Sequence, residues 1–120
     1  MNDKSRTLEE RLNSFKKEFG KILEPVAFLM EKDQALTDAF LQLHEIALGD
    51  GVIARKQKLL MHAAITASLH NVEATVMHLL GAIRAGATEQ ELLETAVSII
   101  PVAGMPAFGN FLNALKMVKG

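Results

Sequence analysis

Three of the four histidines in this 120-residue chain, His62, His70 and His78, fall in a stretch that is almost free of charge. From Leu59 up to Arg84 the only formal charge ahead of the arginine is Glu73. Ionisable groups set in a low-charge segment mark the place where burial and chemistry meet. An imidazole there can give or take a proton near neutral pH, or ligate a metal ion. Sulfur chemistry is excluded outright. The chain has no cysteine, so it has no thiolate nucleophile, thiolate metal ligand or disulfide.

Helices must position these groups, because every long segment follows a period near 3.6 and no run alternates as a strand would. The pattern predicts an all-α fold of about six or seven helices in a single domain, 1–120. The first helix runs over 8–19, opened by a capping box from Thr7 to Glu10 and closed by Gly20. Pro25 opens a short second helix and Asp33 caps a third that ends at Gly49. On that third helix Ala35, Ala39, Leu43 and Ile46 share one face, with Leu36, Phe40 and Ala47 beside it, and His44 lies near the C-terminal end as a solvated or packing residue.

The fourth helix, roughly 55–69, is apolar almost all the way round and so should be surrounded. One narrow stripe differs: Arg55, Leu59, His62 and Thr66. It suits either a polar pocket or an ordinary packing seam. Asn71 can cap a fifth helix ending at Gly86, with Val72, Val76, Leu79, Leu80 and Ile83 as its main core face. His78 lies on the other side, flanked by Ala74, Gly81, Ala82 and Ala85, with Asn71 above. Small residues around one imidazole permit close helix packing or leave room for a ligand. A metal set drawn from His62, His70, His78 and Glu73 is a further reading, although their directions on an ideal helix diverge. A second capping box, Thr88 with Glu91, starts a sixth helix that buries Leu92, Leu93, Ala96, Ile99 and Ile100 until Pro101 ends or kinks it. After a break at Gly104-Met-Pro106, the last helix runs from Pro106 to about Val118 and buries Phe108, Phe111, Leu112 and Leu115.

Composition narrows the partners. The formal net charge is −1 with dispersed basic residues, which gives no footprint for nucleic acid. Six Phe without Trp or Tyr leave no stacking platform or interfacial aromatic belt. The longest uncharged run, 95–115, is interrupted by prolines, glycines and asparagines and reads as soluble core rather than a membrane span. The charged N-terminal stretch has no apolar export segment, so a cytoplasmic location is expected.

Arg55-Lys56-x-Lys58, the apolar helix after it, His78, the run Ala85-Gly-Ala-Thr-Glu-Gln-Glu91 and then Ala103-Gly-Met-Pro-Ala107 together resemble the carboxymuconolactone decarboxylase family, which includes alkylhydroperoxidase D. The resemblance spans about residues 36–118, leaving 1–33 as N-terminal helices and 34–118 as the family-like core. It implies a small helical fold that assembles as a homotrimer or homohexamer. The redox branch carries a glutamate, two cysteines and a histidine, which fall here on Leu59, Asn71, Ala74 and His78. Only the histidine is kept, so the thiol peroxidase activity of that branch is not expected.

The decarboxylase branch implies a cofactor-free lyase or isomerase acting on a small carboxylate. On that reading His78 donates a proton, and Arg55 could hold the carboxylate by a bidentate contact. His62, one turn beyond Leu59, replaces the missing glutamate as second proton-transfer group, with Thr66, Asn71 and Glu73 as further binding candidates. The alternative is a non-catalytic ligand-binding or scaffold descendant.

Overall fold

The computed structural model describes residues 6–119; the first five residues and Gly120, which complete the expected 1–120 domain, lie outside the described residues. Seven helices follow one another: α1 (Leu8–Phe19), α2 (Glu24–Lys32), α3 (Gln34–Leu48), α4 (Arg55–Ser68), α5 (Val72–Arg84), α6 (Glu89–Ser98) and α7 (Ile100–Lys119). No strand occurs among the described residues. The chain divides into two compact units, Met1–Val52 and Ile53–Gly120.

In the first unit α1 and α2 both pack on α3. The start of α1 is the predicted capping box, with the Thr7 hydroxyl accepting from the Glu10 amide at 3.1 Å and the Glu10 carboxylate accepting from the Thr7 amide at 2.8 Å. Gly20 takes the positive φ of 90° that ends the helix. Asp33 caps α3 by accepting from the Leu36 amide at 3.0 Å.

The rotation of α3 departs from the expectation. Its buried residues are Thr37, Leu41 and Leu48, whereas Leu36, Leu43 and Ile46 are exposed. The reason lies in α1. Arg11 is buried and donates to Asp38 and Glu45, each at 3.2 Å, while Phe15 and Phe19 set their rings against His44 at 5.1 and 5.2 Å. A buried guanidinium requires carboxylates, so the face of α3 that carries Asp38 and Glu45 turns inward and the more apolar face turns out.

In the second unit α4 and α5 form a helical hairpin on which α7 packs, with α6 against α4 and α7. Leu59, Ala63 and Ala67 of α4, Leu79 and Ala82 of α5, and Ala107, Phe111 and Ala114 of α7 are fully buried. The many alanines let helix axes approach closely, so backbone packing supplies much of this core. Helix α4 is not surrounded, however, since Met61, Ile65 and Leu69 are exposed.

On α5 the most buried positions are Thr75, Met77, His78, Leu79, Gly81 and Ala82, while Val72, Val76, Leu80 and Ile83 are only half-buried. Of the small residues around His78, Gly81 and Ala82 are buried, Ala74 is half-buried and Ala85 is exposed, and the histidine belongs to the inner face. Leu93, expected to be buried on α6, is 49% exposed. Pro101 lies in the first turn of α7, where its missing N–H is not needed, and Gly104 breaks that helix with φ 83° and ψ 177°.

Candidate functional site

The α4–α5 hairpin places the two candidate catalytic histidines against each other. The His62 and His78 rings have centroids 5.1 Å apart and planes at 86°, an edge-to-face contact. His78 is only 7% exposed, and His62 is half-buried, so the pair reaches from the interior to a half-open surface. Burial, helped by the positive charge of Lys58 one turn earlier on α4, lowers the His62 pKa below its ordinary value. The shift favours the neutral form of the His62 ring.

One turn below the dyad, the Thr66 and Thr75 hydroxyls meet at 2.8 Å. Thr66 also lies 3.0 Å from the His62 carbonyl and Thr75 2.8 Å from the Asn71 carbonyl, each an acceptor one turn back on its own helix. The predicted binding residue Thr66 thus faces α5. Leu59, which stands on the same stripe, is completely buried. Arg55 is half-buried at the first position of α4, and Glu73 is exposed in the first turn of α5.

Asn71 is the N-cap of α5, its side-chain oxygen accepting from the Ala74 amide at 3.0 Å. His70, just before it, adopts φ 61° and is turned toward α7, where its Nδ1 meets the Asn110 side-chain nitrogen at 2.7 Å. The metal reading accordingly finds no support in the geometry: among the described residues no group of three or more His, Asp or Glu side chains is placed to share an ion.

Lys56, the middle of the basic motif, pairs with Glu91 of α6 at 2.9 Å. The Thr88 backbone amide and then the Lys56 ammonium hydrogen-bond the Glu91 carboxylate and hold its pKa below the usual range. This basic residue therefore ties the start of α4 to the capping box of α6.

Sequence reasoning overlooked Thr75 and Asn110. Thr75 could have been found by reading α4 and α5 as an antiparallel pair. The numbers in Thr66–Thr75 and in His62–His78 add to nearly the same value, as one fixed register requires. Asn110 comes from a distant helix and carries no local signal.

The family model described as "Carboxymuconolactone decarboxylase family" matches residues 34–117, well over half of the chain. The chain belongs to the carboxymuconolactone decarboxylase family. Two solved structures share the fold. One is a protein from Burkholderia xenovorans LB400 provisionally described as a carboxymuconolactone decarboxylase, with 24% identity, a TM-score of 0.76, and coverage of 94% of this chain and 95% of that one. The other is a carboxymuconolactone decarboxylase family protein from Legionella pneumophila in its apo form, with 22% identity, a TM-score of 0.73, and coverage of 90% and 99%. No curated protein matches the sequence. This member of the carboxymuconolactone decarboxylase family has no cysteine. No described helix is long and apolar enough to cross a membrane.

Proposed function

We propose that this carboxymuconolactone decarboxylase family protein binds a small carboxylate-bearing molecule beside the His62–His78 dyad and moves a proton on it, as a cofactor-free lyase or isomerase. The observation that carries the reading is the edge-to-face contact of a half-buried, neutral imidazole with a buried one. In an isomerisation, neutral His62 removes a proton from carbon next to a carbonyl, the electron pair rests on the carbonyl oxygen as an enolate, and the dyad returns the proton at another carbon. In a decarboxylation, the bond to the carboxylate breaks, carbon dioxide leaves, and the resulting enolate takes a proton from an imidazolium of the dyad, which water then reprotonates. Arg55 and Lys58, on the same helix as His62, supply positive charge for the substrate carboxylate.

The test is incubation with 4-carboxymuconolactone and related unsaturated lactone acids, followed by chromatography of the products. Turnover above buffer that falls by about 100-fold or more in His78→Gln and in His62→Gln supports the reading, since general acid–base groups contribute on this scale. No product from any lactone acid, together with unchanged ligand affinity in His78→Gln, favours a non-catalytic ligand-binding or scaffold descendant instead.

That second reading draws on the apolar surface. An open groove of about 370 Å³ runs between α4 and the α6–α7 junction, lined by Ile65, Ser68, Leu69, Ile99 and Val102 among others. Leu43 and Ile46 of α3 are exposed apolar side chains as well. We accordingly propose a cytoplasmic homo-oligomer, a trimer or hexamer, in either functional case.

A further inference from the structure

We infer that the Thr66–Thr75 hydroxyl pair is the positioning element of the dyad: it sets the axial and rotational register of α4 against α5 that brings His62 and His78 into contact. The inference rests on the proton-transfer reading above for its functional meaning, but its geometric content is independent of any substrate.

Thr66 follows His62 by one turn on α4, and Thr75 precedes His78 by one turn on α5. In an antiparallel pair these are neighbouring rungs of a single ladder, the threonine rung nearer the connecting turn and the histidine rung farther out. Leu59 and Ala82, both fully buried, occupy the next rung by the same register.

Most of this seam is alanine, glycine and leucine, and apolar contacts of that kind do not choose sharply between neighbouring registers. A hydrogen bond between hydroxyls does, because its length tolerates only a few tenths of an ångström whereas a slip by one turn moves a rung by about 5.4 Å. The hydroxyl contact of 2.8 Å is a direct side-chain hydrogen bond joining the facing stripes of the two helices. Thr75 is fully buried, so a register that separated the pair would leave its hydroxyl only the Asn71 carbonyl of its own helix as partner.

Each hydroxyl has one proton, and the two also have carbonyl acceptors at His62 and Asn71. One threonine therefore donates to the other, and the second donates to its own helix. Either order links the pair to the backbone of His62 or to the cap of α5. In this role the threonines act through the histidines they align.

The experiment is nuclear magnetic resonance of the full chain, following the His62 and His78 ring protons. In the parent a cross-peak joins the two rings. The double variant T66V/T75V removes both hydroxyls and leaves no buried orphan, so the fold is retained. It is expected to lose the cross-peak and to move the His62 titration upward toward the ordinary value, while Thr75→Ser keeps both parental readings. Where the parent turns over a lactone acid, kcat in the double variant falls by about 100-fold with little change in KM.

A folded double variant with an unchanged cross-peak and His62 titration overturns the inference. Thr66→Val alone, at the half-buried end of the pair, carries the same two readings should the double variant fail to fold. A parent without lyase activity leaves the ring readings intact, so failure of the register and failure of the catalytic reading are separately visible.

Discussion

The Asn110 side-chain amide of α7 reaches the Nδ1 of His70, 2.7 Å away, and the Ala67 carbonyl, 3.1 Å away, with the same nitrogen. An amide nitrogen only donates, so His70 Nδ1 accepts and its ring proton resides on Nε2. This contact holds a residue whose φ of 61° is costly for a side chain with a Cβ, at the turn from which α5 starts. Asn110→Ala should therefore destabilise the protein by about 1–2 kcal/mol in urea unfolding, having removed a partner from a helix-terminal carbonyl and from the ring. In that background His70→Gly should recover about 1 kcal/mol, since glycine adopts the positive φ without strain.

Burial first and Lys58 second lower the His62 pKa, so Lys58→Met should raise it without restoring the ordinary value. As pH falls below the ordinary histidine range, the unfolded chain takes up this proton before the folded one does. The contribution of His62 is thus fully present above that range and is lost as pH drops through the lowered folded value. Histidine ring titrations, paired with urea midpoints at pH 7 and pH 5, measure both effects.

Asn71 closes the amide end of α5. Asn71→Ala is expected to cost about 1 kcal/mol and Asn71→Asp much less, as at other helix caps. Ligand affinity, where lactone acids bind, should be unchanged in Asn71→Asp. A specific loss of affinity in that variant at parental stability would return Asn71 to the binding site.

Exposed Leu43 and Ile46 on α3, and Ile65 and Leu69 on α4, predict association. Sedimentation velocity should show a trimer or hexamer for the parent. Leu43→Lys or Ile65→Lys should shift the distribution toward smaller species, with the helical signal retained. A parent that sediments as a monomer at 100 µM and above, a concentration of order 10⁻⁴ M chosen to favour weak assembly, removes the oligomer proposal.

Local signals made the helices legible. Thr7 with Glu10, Asp33, Asn71, and Thr88 with Glu91 all cap as their spacing predicts, because a cap is decided within three residues. The family resemblance was also readable, and residues 34–117 match its model. What periodicity could not give was helix rotation. On α3 the choice belongs to Arg11, far away in sequence, whose buried guanidinium draws Asp38 and Glu45 inward against the apolar moment. On α5 it belongs to Thr75 and His78, which face α4 through one hydroxyl contact and one ring contact. Polar residues that find partners inside are counted as surface by any hydropathy rule, and these are the ones that organise the candidate site.

Leu59 stands where the redox relatives are expected to carry an acid, and it has no exposure to water. Putting a carboxylate back there would strand a charge in hydrocarbon, with His62 one turn away as the nearest candidate to share its proton. Asn71 meanwhile has taken up the work of starting a helix, so cysteine at that position would sacrifice a cap before it gained a reaction. A carboxylate at Leu59 or a cysteine at Asn71, introduced singly, would thus weaken the fold.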